Sequence, residues 1–170
     1  QQSLTKYHVL YKGKCDVTRM TALPALVPFH QDVCNYLNLL SKALLTDAKA
    51  TKYPDIVTFA FFCRKSNIDH LKKQYGNIKN RLGRGLSFHI APSNVPINFA
   101  YSLVAGLLAG NSCLVRVSSK HSEQTNIVCQ VMQEIADSHS TWVTDYIMVV
   151  TYDQNRHVTD ELSLMCNTRI

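Results

Sequence analysis

No apolar run in this chain approaches the roughly 18 to 20 residues that a helix needs to cross a bilayer. The best stretch, residues 99–108, is hemmed in by Asn98 and by Gly110-Asn111. Residues 1–14 mix polar side chains and lysines with no apolar core, so they do not read as a secretory leader, and a cytoplasmic setting is the default expectation. The six cysteines, at positions 15, 34, 63, 113, 129 and 166, contain no C-x-x-C, which argues against a disulfide framework and against a zinc module. The seven histidines contain neither H-x-x-x-H nor H-E-x-x-H, so no metal is expected. No G-x-S-x-G elbow marks a serine hydrolase, and there is no internal repeat or low-complexity linker.

What is present is an ordinary globular composition. With 170 residues, 46% of them hydrophobic, the chain can bury one respectable core. Its formal charge of +6 suits anionic ligands such as CoA, dinucleotides or nucleic acid, although a solvated surface can carry the same surplus. Lys72, Lys73, Lys79, Arg81 and Arg84 form a basic stretch with no aromatic interleaving, and nucleic acid is therefore not the expected partner.

Two regions differ in pattern, with a change near Gly76. Residues 1–80 read as an N-terminal helical segment. Apolar side chains from Phe29 to Leu45 recur at helical spacing, a second helix opens at Pro54, and a third runs from Ser66 or Asn67 to Gly76. Residues 81–170 read as a partial dinucleotide-binding domain. Apolar strands at about 86–91, 113–117 and 145–151 alternate with helices at about 96–109, 122–138 and 159–166, a pattern that favours a parallel, doubly wound α/β sheet. Thr168-Arg169-Ile170 reads as the start of a further strand, so the chain is expected to be the first part of a longer Rossmann-like fold.

The polar groups that could carry chemistry fall where such sheets bind ligands, at the carboxyl ends of strands. Asn94 lies between Pro92 and Val95-Pro96, so the prolines could aim its carboxamide at a developing oxyanion; a simple turn asparagine before a helix is the alternative. Arg116, Ser118, Ser119 and Lys120 accompany the next strand. A carboxylate there would accept both ribose hydroxyls of NAD, whereas a basic, hydroxyl-rich segment suits a 2′-phosphate and leans toward NADP(H). The plain alternative is a polar loop with Ser122 capping the following helix. Gly83-Arg84-Gly85 precedes its strand instead of following it and is rejected as a phosphate-binding fingerprint. His89 reads as structural.

The run from His89 to Pro96, the helix end Leu108-Ala109-Gly110-Asn111, and Leu114 to Ser119 together resemble the acyl-CoA reductase (LuxC-type) family. That family is itself similar to a divergent branch of the aldehyde dehydrogenase superfamily, with its P-W-N-x-P turn and A-G-N-x-x-x-x-K-P-S segment. The resemblance is strongest over residues 83–120. It implies an NADPH-dependent reduction of a long-chain acyl-CoA or acyl-protein thioester to the aldehyde through a cysteine acyl-enzyme, with a homo-oligomer or an acyl-transfer enzyme as protein partner. It gives Asn94 the oxyanion amide, Arg116 the place of the ribose-contacting lysine and Ser119 the place of a glutamate, and it puts Pro92, Ser93, Ser118 and Lys120 beside the cofactor. None of the six cysteines falls at the nucleophile's position, which is expected beyond Ile170, so the chain alone is expected to be inactive. An NAD(P)-dependent aldehyde dehydrogenase and a noncatalytic nucleotide- or protein-binding module are the rival readings.

Overall fold

The structure, a computed structural model, describes residues 7–75 and 79–170. Strand β1 (His8–Lys12) is followed by helices α1 (Val17–Met20), α2 (Gln31–Thr46), α3 (Pro54–Cys63) and α4 (Lys65–Gln74). Strand β2 (Leu86–Ile90), helix α5 (Asn98–Leu108), strand β3 (Ser112–Ser118), helix α6 (Glu123–Ser138), strand β4 (Ile147–Tyr152), helix α7 (Arg156–Met165) and strand β5 (Thr168–Arg169) then alternate. The mixed α/β class and the Rossmann-like alternation expected from the sequence are what the chain forms.

The five strands lie in the order β1-β4-β3-β2-β5, all parallel except β1, which runs antiparallel along β4. The parallel strands β2, β3 and β4 are covered on both faces, and β4 is accordingly buried along all six residues, whereas the two-residue edge strand β5 is half-buried to exposed. The chain steps outward from β2 to β3 to β4 and then returns across β2 to β5. The order therefore reverses between β2 and β5, and the carboxyl ends of those strands form a topological switch point.

Strand alternation divides the core in two. On one face Cys113, Val115 and Val117 of β3 join Val33, Leu37 and Leu40 of α2, Phe59 of α3, Phe99 and Leu103 of α5, and Val128 and Met132 of α6. On the other, Leu86, Phe88, Leu114, Met148, Val150 and Tyr152 pack under Val17 and Met20 of α1 and Val158 and Leu162 of α7. The larger cluster draws on residues from both sides of position 80, so the N-terminal helices and the sheet share one interior.

Most element ends have a visible cause. Pro54 begins α3 as expected, because its missing N–H costs nothing in a first turn. Ser122 caps α6 by accepting from Thr125 N–H. Helix α4 starts at Lys65, before the expected Ser66 or Asn67; the Asn67 amide instead donates to Phe62 O at 2.7 Å and ties the α3–α4 corner. Its expected end, Gly76, lies outside the described residues. Helix α5 begins two residues after Pro96, because the chain first closes a turn from Asn98 N–H to Val95 O. Helix α7 begins three residues before the expected Thr159, since Asn155 accepts from the N–H groups of His157 and Val158.

Strand β1 is the element that the helical reading of residues 1–80 misses. Only Tyr11 of its five residues is buried, with its hydroxyl donating to Thr144 O at 2.8 Å. A short edge strand ending in lysine has too little alternation to be recognised locally. The rejected Gly83-Arg84-Gly85 also finds its role here. Gly83 N–H donates to Leu26 O and Leu26 N–H to Gly110 O, both at 2.9 Å, and a side chain on Gly83 would run into the Gly110 carbonyl.

Candidate functional site at the carboxyl ends of the strands

The ladder of β2 continues one residue past its end, with Ala91 N–H donating to Arg116 O at 3.0 Å, and Pro92 stops it by lacking an N–H. The turn over residues 93–97 then leads into α5. Asn94 is exposed in this turn, and none of the described hydrogen bonds engages its carboxamide. An amide that the protein leaves uncommitted is free to donate to a ligand oxygen.

Beside the turn, β3 runs through Arg116 to Ser118, so these two residues belong to the strand while Ser119 and Lys120 form the loop after it. Pro92, Ser93, Val95 and Pro96 from the turn meet Ser118, His121, Ser122 and Thr125 in a seam between α5 and α6. Thr125 Oγ1 donates to Pro96 O at 3.2 Å and locks the two sides together. The seam holds only about 20 Å³, room for roughly one water. The Ser118 hydroxyl accepts from Lys120 N–H at 3.2 Å, which rounds the loop, and Ser119 and Lys120 are exposed.

Arg116 takes the opposite side of the sheet. It is in register with Ile90 of β2 and Val150 of β4, and Val150 belongs to the α1/α7 core, so the arginine projects on that face. Its Nη2 donates to Tyr152 O at 2.9 Å and its guanidinium lies 5.0 Å from the centre of the Tyr152 ring. Its Nε is buried without a partner among the described residues. Around it opens a groove of about 540 Å³ lined by Ile90, Tyr152, Gln154, Asn155, Arg156, Thr159, Asp160 and Arg169. The structure thus gathers Pro92, Ser93 and Ser118 at the seam, sets Arg116 in the separate groove, and leaves Asn94, Ser119 and Lys120 exposed along the rim. Tyr152, Arg156 and Arg169 escaped the sequence reading, because their positions 36 to 53 residues beyond Arg116 carry no local motif that links them to it.

His89, Cys63, Cys113 and Cys129 are buried, and Cys15, Cys34 and Cys166 are half-buried. His89 is buried between the Ser87 hydroxyl at 2.8 Å from Nε2 and the Ser102 hydroxyl at 2.7 Å from Nδ1, and burial lowers its pKa to about 4. It is a neutral, structural imidazole at physiological pH. Burial likewise pushes the Cys113 and Cys129 thiols up to about 12 and Cys166 to about 11, while Cys15, Cys34 and Cys63 are also raised. A nucleophilic cysteine needs the opposite environment, one that favours the thiolate.

The parallel strands and the switch point define a Rossmann-like α/β architecture. Within that class, residues 15–167 match the family model described as acyl-CoA reductase (LuxC), and the chain belongs to that family, one of oxidoreductases acting on acyl-CoA. Comparisons with curated proteins and with solved structures gave no match.

Proposed function

We propose that this chain carries the oxyanion amide and the cofactor shelf of a fatty acyl-CoA reductase that uses NADPH to reduce a long-chain acyl thioester. The net reaction is R–CO–S–CoA + NADPH + H⁺ → R–CHO + CoA–SH + NADP⁺. The observation that carries this reading is the free Asn94 carboxamide, held between two prolines at a strand end in a member of this family. Its Nδ2–H donates to the thioester oxygen as negative charge develops there, an interaction worth about 3 to 4 kcal/mol once water is excluded.

The residues present fit a dinucleotide phosphate. Arg116 has a buried donor with no protein partner, and Pro92, Ser93 and Ser118 line the same strand ends, with Ser119 and Lys120 at the rim. Bound NADPH supplies the hydride that reduces the acyl carbon; the chain's part is to bind and orient it. The attacking thiolate of the acyl-enzyme is none of the six cysteines here, each of which is held in its thiol form by burial.

The 170-residue chain is therefore expected neither to oxidise NADPH with a long-chain acyl-CoA nor to gain an acyl adduct by intact mass. In the reductase that contains these residues, Asn94→Ala should lower kcat by about 10²- to 10³-fold. Turnover by the isolated chain, or an Asn94→Ala enzyme with undiminished kcat, would overturn the assignment. Oxidation of aldehydes with no reduction of acyl-CoA would instead favour the dehydrogenase reading.

A further inference from the structure

We propose that selection for the 2′-phosphate of NADPH is made by Arg156 and Arg169, which flank Arg116 in the groove on the α1/α7 face, and not by the Ser119-Lys120 loop. The inference rests on the cofactor reading above and assigns its specificity to residues that no motif identifies.

Register brings the three guanidinium groups together. Arg169 of β5 is paired with Phe88 of β2, and Arg116 of β3 is in register with Ile90 two residues further along β2. Phe88 packs in the α1/α7 core, and side chains in register on neighbouring parallel strands share a face, so Arg116 and Arg169 project to the same side and straddle β2 at its carboxyl end. Arg156, the first residue of α7, joins them from the helix that follows β4 and crosses back toward β5, and all three line the one groove.

The chemistry of the lining separates this groove from the seam. Three arginines face one acid, Asp160, and the Arg156–Asp160 pair is loose and solvent-exposed, with Nε 3.7 Å from Oδ2, so a phosphate dianion competes for Arg156 on favourable terms. Arg116 is pinned by Tyr152 through Nη2 while its buried Nε–H has no partner among the described residues, and its planar fork can meet a phosphate with little further ordering. Asn155, whose Oδ1 caps α7, adds its Nδ2 amide to the lining, while the Thr159 hydroxyl is held by Asn155 O at 3.2 Å and the Tyr152 hydroxyl at 2.9 Å. A groove of about 540 Å³ accommodates a nucleoside phosphate, whereas the 20 Å³ seam beside Ser118 does not.

Isothermal titration of the 170-residue chain with adenosine 2′,5′-bisphosphate and with 5′-AMP tests this without any turnover. The unaltered chain should prefer the bisphosphate. Arg156→Gln and Arg169→Gln should each weaken bisphosphate binding by about 10- to 100-fold, the worth of one charged hydrogen bond, while shifting 5′-AMP affinity by less than about twofold. Lys65→Gln, on exposed α4, sets the baseline for losing one surface charge, and far-ultraviolet circular dichroism checks that each variant is folded. If Lys120→Gln abolishes the preference and the two arginine variants keep it, or if all variants keep it, the groove assignment is wrong while the cofactor reading stands. If neither nucleotide binds the unaltered chain, the cofactor reading itself fails.

Discussion

Adding one methyl group at Gly106 tests how α5, and with it the Asn94 turn, is seated. In an exposed helix Gly→Ala would stabilise by about 1 kcal/mol through backbone entropy. Here a Cβ would lie 2.6 Å from Cys113 Sγ and 2.8 and 2.9 Å from Nε2 and Cε1 of His89, well inside van der Waals contact. Neither neighbour can retreat easily: Cys113 is fully buried, and His89 is held at both ring nitrogens by Ser87 and Ser102. Overpacking of this kind costs about 1 to 3 kcal/mol. Displacing the imidazole from one hydroxyl strands a buried polar group for a further 1 to 3 kcal/mol or so. Against the gain in propensity, Gly106→Ala should destabilise the fold by about 3 kcal/mol, moving the urea midpoint down by about 1.5 M at a slope near 2 kcal/mol/M. Combining it with Cys113→Ala, which removes the nearest atom, should cost at least about 1 kcal/mol less than the sum of the single changes. A Gly106→Ala protein with an unchanged or higher midpoint would refute the close seating of α5 on β2 and β3.

The remaining expectations are independent of one another. His89 titrates near 4 in the fold against about 6.5 when exposed, so the unfolded chain binds the extra proton first. Its contribution is complete above about pH 6.5 and is lost as pH falls toward 4, by about 3 kcal/mol. Urea titrations of the parent and of His89→Gln at several pH values should show the difference in slope confined to that window; parallel curves would contradict it. Asn94→Ala should leave stability within about 0.5 kcal/mol because the side chain is exposed and holds nothing, so a large loss in the melting midpoint would mean that the carboxamide has a structural partner. In a thiol titration with Ellman's reagent at neutral pH, Cys63, Cys113 and Cys129 should react only after unfolding, and prompt labelling of any of them would contradict their burial.

Much of the architecture was legible in the chain because its signals are local. Runs such as Leu114-Val115 and Met148-Val149-Val150 report strands buried on both faces, Pro54 and Ser122 mark helix starts, and the 3.6-residue spacing along α2 reports one buried stripe. The stretch from His89 to Ser119 carried the family as well, since turn, helix and strand are contiguous there. Strand β1 was not legible. Its stability comes from pairing with β4, with His8 opposite Thr151, and so depends on a contact that no window of neighbouring residues contains.

The composition and motif order of this chain determined by themselves an α/β fold with a polar turn and a polar loop at successive strand ends, because helix caps, strand runs and proline turns act over a few residues. Only the tertiary structure decided which face each side chain serves. In a strand a shift of one residue reverses the face, so the register of β3 against β2 and β4 is what sends Arg116 to the α1/α7 side while its neighbours Val115 and Val117 enter the other core. The return of the chain from α7 to β5 is what sets Arg156 and Arg169 beside it.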